Sequence, residues 1–294
     1  MTKNLIRLPM TSDYVFKRVF SYEGNEEVLK DFLEAILNIK INKVVVKNPE
    51  LIKNTKKEKS GVLDIKVEID NGTLIDVEMQ MKNEKNIEER AITYSGKLIS
   101  SQLQAGEPYK ELNKTIIIFI LNFNYYKTNN YHNIARMKFD KTTKSAYVDM
   151  GYEKEQDVAS RYIEMHFIEM PKFRKKNPDT EGKLEQWLWM IDGREEKVEM
   201  AEKENKEIKK AIETLNHISL DPMERERYES IIQAEFNRRV SEQNFFKKGV
   251  ENGVKQTKKE LAKKLLKLNM DIKQIHEITE LAEEEIRKIQ KGEN

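Results

Sequence analysis

The sequence predicts an α/β fold, a mixed β-sheet flanked by helices and followed by an all-helical C-terminal region. Three features of its 294 residues carry this. Residues 62–80 alternate apolar and polar side chains around Asp70-Asn71-Gly72 and read as a β-hairpin. Residues 114–123, Lys-Thr-Ile-Ile-Ile-Phe-Ile-Leu-Asn-Phe, are apolar on both faces, which marks a central strand covered from both sides. Between them, residues 87–103 carry a helical stripe, and hairpin, helix, buried strand is the order of a sheet with helices on its faces.

The elements follow in order. Thr11 or Ser12 can cap a helix running to about Tyr22, with Val15, Phe16, Val19 and Phe20 as its apolar stripe and Asp13 in its first turn. Residues 26–38 form a second helix, and 41–46 a short strand. After the hairpin, residues 81–85 make a polar connection to the helix at 87–103, on which Arg90 and Tyr94 stand one turn apart. Gly106-Glu107-Pro108 breaks the chain before the apolar strand, and residues 124–133 form a tyrosine-rich loop. Residues 134–140 and 161–169 are further strands, and Pro171 ends the sheet-forming part.

From residue 181 the reading is helical throughout. Leu184, Trp187, Leu188 and Ile191 make one amphipathic helix that ends near Gly193; residues 195–215 make a single, highly charged one. Pro222 opens another, and Gly249 and Gly253 punctuate its approach to a short tail with an Asp271-x-x-Gln274 capping box. The expected organisation is a first domain over residues 1–175, a helical region over 176–248 and a small helical tail over 249–294. The tail has a helix-turn-helix outline, but its last helix opens Glu283-Glu284-Glu285, poor chemistry for a phosphate-lined groove, and packing or self-association suits it better.

The hairpin register decides which side chains share a face. A two-residue loop scatters the carboxylates over both faces. A three-residue loop, a type I turn closed by a glycine bulge, pairs Lys66 with Asp76 and Asp64 with Glu78. Leu63, Ile65, Val67, Ile69, Ile75, Val77 and Met79 then point one way, and Asp64, Lys66, Glu68, Asp76, Glu78 and Gln80 the other. Burial favours that register, because a one-residue slip exchanges the faces. Two carboxylates on neighbouring strands repel unless a cation or proton lies between them, and hard oxygens suit Mg²⁺. The same pattern also fits a solvated sheet face with charges paired across strands.

Composition narrows the classes. Charged residues make up 35% and apolar ones 38%, and no run of some 18 apolar residues or signal-peptide core is present, so a soluble cytoplasmic protein with no membrane role is expected. The net charge of +2 excludes a wholesale nucleic-acid coat and leaves local patches to do any binding. Candidate patches are Lys56 and Lys57 before the hairpin, Lys82 after it, and the cluster Arg174, Lys175 and Lys176. Cysteine is absent, which rules out thiolate metal sites, and the four histidines have no zinc-type spacing.

Taken as an ordered set, several motifs resemble the PD-(D/E)XK nuclease superfamily, and within it the Rpn family of recombination-promoting nucleases and transposase-like proteins. They are Asp13-Tyr14-Val15-Phe16-Lys17-Arg18-Val19-Phe20, Leu29-Lys30-Asp31-Phe32-Leu33, Asp64, Glu78-Met79-Gln80, Arg90 to Tyr94, Gly106 to Tyr109, and the apolar strand. The resemblance covers residues 1–170 and extends more loosely into the tail. It implies a PD-(D/E)XK nuclease-like core and Mg²⁺-dependent hydrolysis of DNA phosphodiesters, in a recombination or mobile-element setting. It also implies Asp64 and Glu78 as metal ligands, Gln80 where most of the superfamily carries lysine, and supporting roles for Asp13 and Arg90. Three other readings stay open: a non-catalytic DNA- or partner-binding module, a scaffold that self-associates through residues 181–294, and a transposase with an RNase H-like three-carboxylate site.

Overall fold

The computed structural model describes residues 6–47, 65–136 and 162–292. The chain divides into two compact units, Met1–Glu226 and Arg227–Asn294. No helix among the described residues is long and apolar enough to cross a membrane.

The first unit opens with α1 (Asp13–Phe20) and α2 (Glu26–Leu37), followed by β1 (Val44–Val46), β2 (Ile65–Ile69), β3 (Leu74–Gln80), α3 (Ile87–Ser100), β4 (Thr115–Leu121), β5 (His132–Arg136) and β6 (Ile163–Glu169). Among the described residues these strands form one sheet in the order β1-β2-β3-β4-β6-β5. The pairs β3/β4 and β4/β6 are parallel and the others antiparallel, so the sheet is mixed, as expected. Every residue of β4 is buried, which fits a strand with neighbours on both sides and helices on both faces.

The hairpin takes the register that burial demands. Lys66 pairs with Asp76, Ile65 with Val77 and Val67 with Ile75, across a connection of three residues, Asp70–Gly72. The turn itself differs from a type I turn with a bulged glycine. Asn71 (φ 61°) and Gly72 (φ 74°) are both left-handed. Asparagine enters that region at low cost, so the connection need not keep a right-handed second residue.

Two aromatic-rich layers cover the sheet. On one face, α3 lays Ile87, Ala91 and Leu98 over Ile117, Phe119, Leu121 and Phe167. Elsewhere in the unit, the rings of Phe16, Phe20, Phe32 and Trp187 lie 4.5–5.9 Å apart and join α1 and α2 to α5 (Lys183–Asp192), and α1 also packs on β3. Asp31 locks this layer. It accepts from Lys183 Nζ (2.6 Å), Trp187 Nε1 (3.0 Å) and Asn205 Nδ2 (2.9 Å). Burial alone would raise the Asp31 pKa, but these three donors outweigh it and hold the carboxyl below its ordinary range.

The helical part departs from the sequence reading in four places. Residues 170–176, expected only as a basic cluster after the sheet, form α4 (Met170–Lys176), with Pro171 in a first turn that needs no amide hydrogen. The charged run 195–215 is two helices, α6 (Glu195–Glu204) and α7 (Lys206–Leu220). Asn205 separates them by capping α7, accepting from the amides of Glu207 and Ile208. Ser12 occupies the N-cap of α1, yet its side chain makes no capping bond. Lastly, Gly249 and Gly253 do not interrupt anything, because α8 runs unbroken from Pro222 to Lys267.

Beyond residue 226 the second unit holds most of α8, then α9 (Ile272–Thr279) and α10 (Glu283–Gln290). Ala262, Ile275, Leu281 and Ile286 make its small core. Asp271 caps α9 by accepting from the Lys273 amide at 3.0 Å.

Candidate active site

The site lies on the sheet face beneath α3. Strand alternation puts Asp76, Glu78 and Gln80 on one side of β3, and the parallel register sets Asp76 beside Ile117 and Glu78 beside Phe119, whose ring α3 covers. The consequence is burial. Asp76 is 1% exposed and Glu78 2%, so neither belongs to a solvated face. A buried carboxylate is costly unless it is matched by donors or by a cation.

Glu78 is matched by groups from two elements. Gln80, two residues along the same strand, donates its Nε2 to Glu78 Oε2 at 2.9 Å. Arg90, in the first turn of α3, brings its Nη2 to 2.9 Å from Oε2 and 3.3 Å from Oε1. The same Nη2 lies 3.0 Å from the hydroxyl of Tyr94, and the guanidinium sits 5.4 Å from that ring's centre. Tyr94 in turn stacks on Phe119 at 6.4 Å. Thus the helical i, i+4 spacing of Arg90 and Tyr94 fixes the cation over the strand. Burial opposes the charge on Arg90, but Glu78, Tyr94 and Glu84 outweigh it and raise its pKa above the ordinary value. Glu84, from the loop before α3, is 3.7 Å from Nη1. Nothing in the sequence singles out Glu84, a single acid between Lys82 and Lys85 in a polar connection.

The remaining candidates fall into distinct groups. Asp13 opens α1, which packs on β3. Asp64, Lys56 and Lys57 lie outside the described residues. Lys82 is half-buried just after β3. Around α4, Arg174 donates Nε to Asp192 at 2.6 Å and also bonds Asn122, while neighbouring Lys172 reaches Glu169 at 2.5 Å and the Tyr126 carbonyl at 2.7 Å. Lys176 lies 5.2 Å from the centre of the Tyr131 ring, and Lys175 is exposed. The basic run is therefore partly spent on holding α4 against its neighbours.

The tyrosine-rich loop is also held internally. Glu169, fully buried at the end of β6, accepts from the amides of Tyr125 and Tyr126 and from Asn133 and Lys172. The Tyr126 ring packs on Phe167 at 5.2 Å, and Tyr131 bonds Glu185 and meets Phe173 edge to face. Burial, followed by nearby acids, raises the pKa of both Tyr126 and Tyr131. Stacking of these rings on a nucleic-acid base would have to compete with these contacts.

Chemically, the donor set is one of hard oxygens. Glu78 supplies a carboxylate, and Gln80, having spent its Nε2 on Glu78, keeps its amide oxygen for a ligand or water. Among the described residues no group of three or more His, Cys, Asp or Glu side chains could hold a metal by itself. Mg²⁺ needs no such cage: one or two carboxylates, waters and substrate phosphate suffice, so this donor set fits it.

Comparison with known proteins agrees with this geometry. A family model described as PD-(D/E)XK nuclease family transposase matches residues 10–243, a span that contains the whole sheet, α3 and Glu78, Gln80 and Arg90. No curated protein and no solved structure matches the chain. With the mixed sheet, the buried Glu-x-Gln strand and a match over most of its length, the chain belongs to the PD-(D/E)XK nuclease family transposases.

Proposed function

We propose that this protein is a metal-dependent DNA endonuclease that hydrolyses phosphodiester bonds, with Asp64 and Glu78 holding Mg²⁺. The observation that supports this reading best is Glu78, a carboxylate 2% exposed, aimed under α3 and held by Gln80 and Arg90. A carboxylate that two side chains fix in one direction at the edge of the core is positioned to orient a ligand. The register Lys66 to Asp76 supports Asp64 as the second ligand, since that is the register on which the sequence sets Asp64 opposite Glu78.

Bound Mg²⁺ would lower the pKa of a coordinated water and neutralise charge developing on the scissile phosphate. The chain's own residues do the rest. Gln80 orients Glu78 through Nε2 and offers its amide oxygen to the attacking water, in a position where lysine would have supplied a charge. Arg90 holds Glu78 in place through Nη2, and the exposed part of its guanidinium is proposed to meet a phosphate oxygen. Asp13, at the start of the helix that packs on β3, is proposed to help set the local field. Lys56, Lys57, Lys82 and Lys175 are proposed phosphate contacts, with Arg174 and Lys176 contributing only where their internal partners release them. Promotion of recombination or mobile-element processing would follow from cutting DNA.

The test is conversion of supercoiled plasmid to nicked and linear forms by the full chain, with Mg²⁺ and with excess chelator. Nicking that appears only with Mg²⁺ is expected. Salt-sensitive DNA binding without cleavage at any Mg²⁺ concentration would replace this reading with a binding module that keeps the fold.

A further inference from the structure

We infer that α8 pairs antiparallel with the α8 of a second copy of this chain, making the protein a dimer. The first observation is an exposed apolar stripe on α8. Ile232, Phe236, Val240, Phe246, Val250 and Val254 recur at spacings of four, four, six, four and four residues. At 3.6 residues per turn they fall within about 120° of the helix circumference. Each is at least 40% exposed, and Phe246 is 76% exposed. Isolated exposed apolar residues are ordinary, whereas a row several turns long marks an interaction surface.

Two glycines give a second observation. Gly249 and Gly253 sit inside the unbroken helix, where each costs about 1 kcal/mol relative to alanine. A Cβ at either position would meet no neighbouring element within 4 Å, so packing among the described residues does not require them. Both lie along one edge of the stripe, where a glycine lets another helix approach closely.

Charge selects the occupant and its direction. The same edge carries two acid–base steps, Glu235 with Arg239 and Glu260 with Lys264, each four residues apart. Glu235 and Arg239 already face each other at 4.0 Å. An antiparallel pair centred between Gly249 and Val250 sets Glu235 opposite Lys264 of the second copy, Arg239 opposite its Glu260, and Phe246 opposite its Gly253. Both ends then carry an alternating network of four charges, and each phenyl ring lies over a glycine. A parallel two-fold pair would instead set Glu235 level with Glu235 and Arg239 level with Arg239 of the second copy, each turned toward the opposite edge at Gln233 and Val240, and would gain no such partners. The helix thus complements itself in one orientation, which is the requirement of a two-fold interface. This inference is independent of the nuclease reading and stands or falls separately.

Sedimentation velocity of the full chain tests it. A dimer is expected, with Val250→Glu raising its dissociation constant at least about 100-fold and circular dichroism confirming retained helix. Arg239→Glu alone should weaken the dimer, and adding Glu260→Arg in the same chain should restore it, a rescue that misfolding cannot imitate. Because the sequence lacks cysteine, a chain with Arg239→Cys mixed with one bearing Glu260→Cys should form a mixed disulfide dimer on oxidation. A monomer at every concentration would overturn the inference, including one that instead floats with anionic vesicles. So would a dimer in which Arg239→Cys links only to itself, or one that forms no mixed disulfide.

Discussion

Arg90 Nη2 and Glu78 Oε2 lie 2.9 Å apart, joining the first turn of α3 to the middle of the sheet. The glutamate is almost wholly buried and the arginine about a quarter exposed, so the pair sits at the boundary between core and site. That position gives it two functions, compensating a charge the fold has buried and fixing the direction in which that charge points.

Removing the cation should therefore destabilise the protein more than removing a surface ion pair. Arg90→Met is expected to cost about 2–3 kcal/mol in urea unfolding, below the full range for a buried pair because the guanidinium is partly solvated. Glu78→Gln should cost less, since the amide needs no counter-charge. The double variant should recover at least about 1 kcal/mol of the sum, the mark of direct coupling.

Asp31 offers a test of the fold away from the site. It belongs to one of the motifs that carry the family resemblance, yet its contacts are architectural: Lys183 and Trp187 on α5, and Asn205 between α6 and α7. Asp31→Ala leaves the buried Trp187 donor without an acceptor and Asn205 Nδ2 with only its longer bond to Gln186, and should cost about 2–4 kcal/mol, read as a lowered urea midpoint. DNA cleavage by the folded fraction should be unchanged.

Stability should also fall in mild acid through a pair of histidines on the far side of the sheet. His132 Nε2 and His166 Nδ1 are 2.8 Å apart, and the other ring nitrogen of His166 meets Glu164 at 2.7 Å. Burial, then the neighbouring His166, pushes His132 down to about 4. Its unfolded value is near 6.5, so between those two values the unfolded chain binds more protons and stability rises with pH. As pH drops from about 6.5 to 4, about 2–3 kcal/mol should be lost. Glu164 adds to the loss below about 4.5, because hydrogen bonds from His166, Arg136 and Lys114 overcome its burial and hold its pKa low. Urea unfolding of His132→Phe across this range should show a shallower pH dependence.

How much of this was legible in the sequence depended on how local the cause was. The hairpin register follows from sorting seven apolar side chains onto one face, and Lys66 does pair with Asp76. The burial of Asp76 and Glu78 depends on the other segments packed on their face of the sheet, Arg90 of α3 among them at Glu78, a relation that alternation along one strand does not contain. The resemblance implied a supporting role for Arg90 without its target; the carboxylate contact appears only in three dimensions. The break at Asn205 was hidden because an N-cap asparagine in a charged run looks like any other polar position. Gly249 and Gly253 misled in the opposite sense, since a 46-residue helix can carry two glycines at about 1 kcal/mol each. Arg174 read as a free cation because its partner Asp192 is on another helix.

The measurement that bears most directly on the central claim is single-turnover nicking of supercoiled DNA in Mg²⁺ by wild type, Asp64→Asn and Glu78→Gln, each shown to be folded by circular dichroism. Mg²⁺-dependent nicking by wild type is expected, with a fall of at least about 1,000-fold in both variants, the scale of losing a group that stabilises the transition state. Equal nicking by a folded Glu78→Gln protein would contradict it.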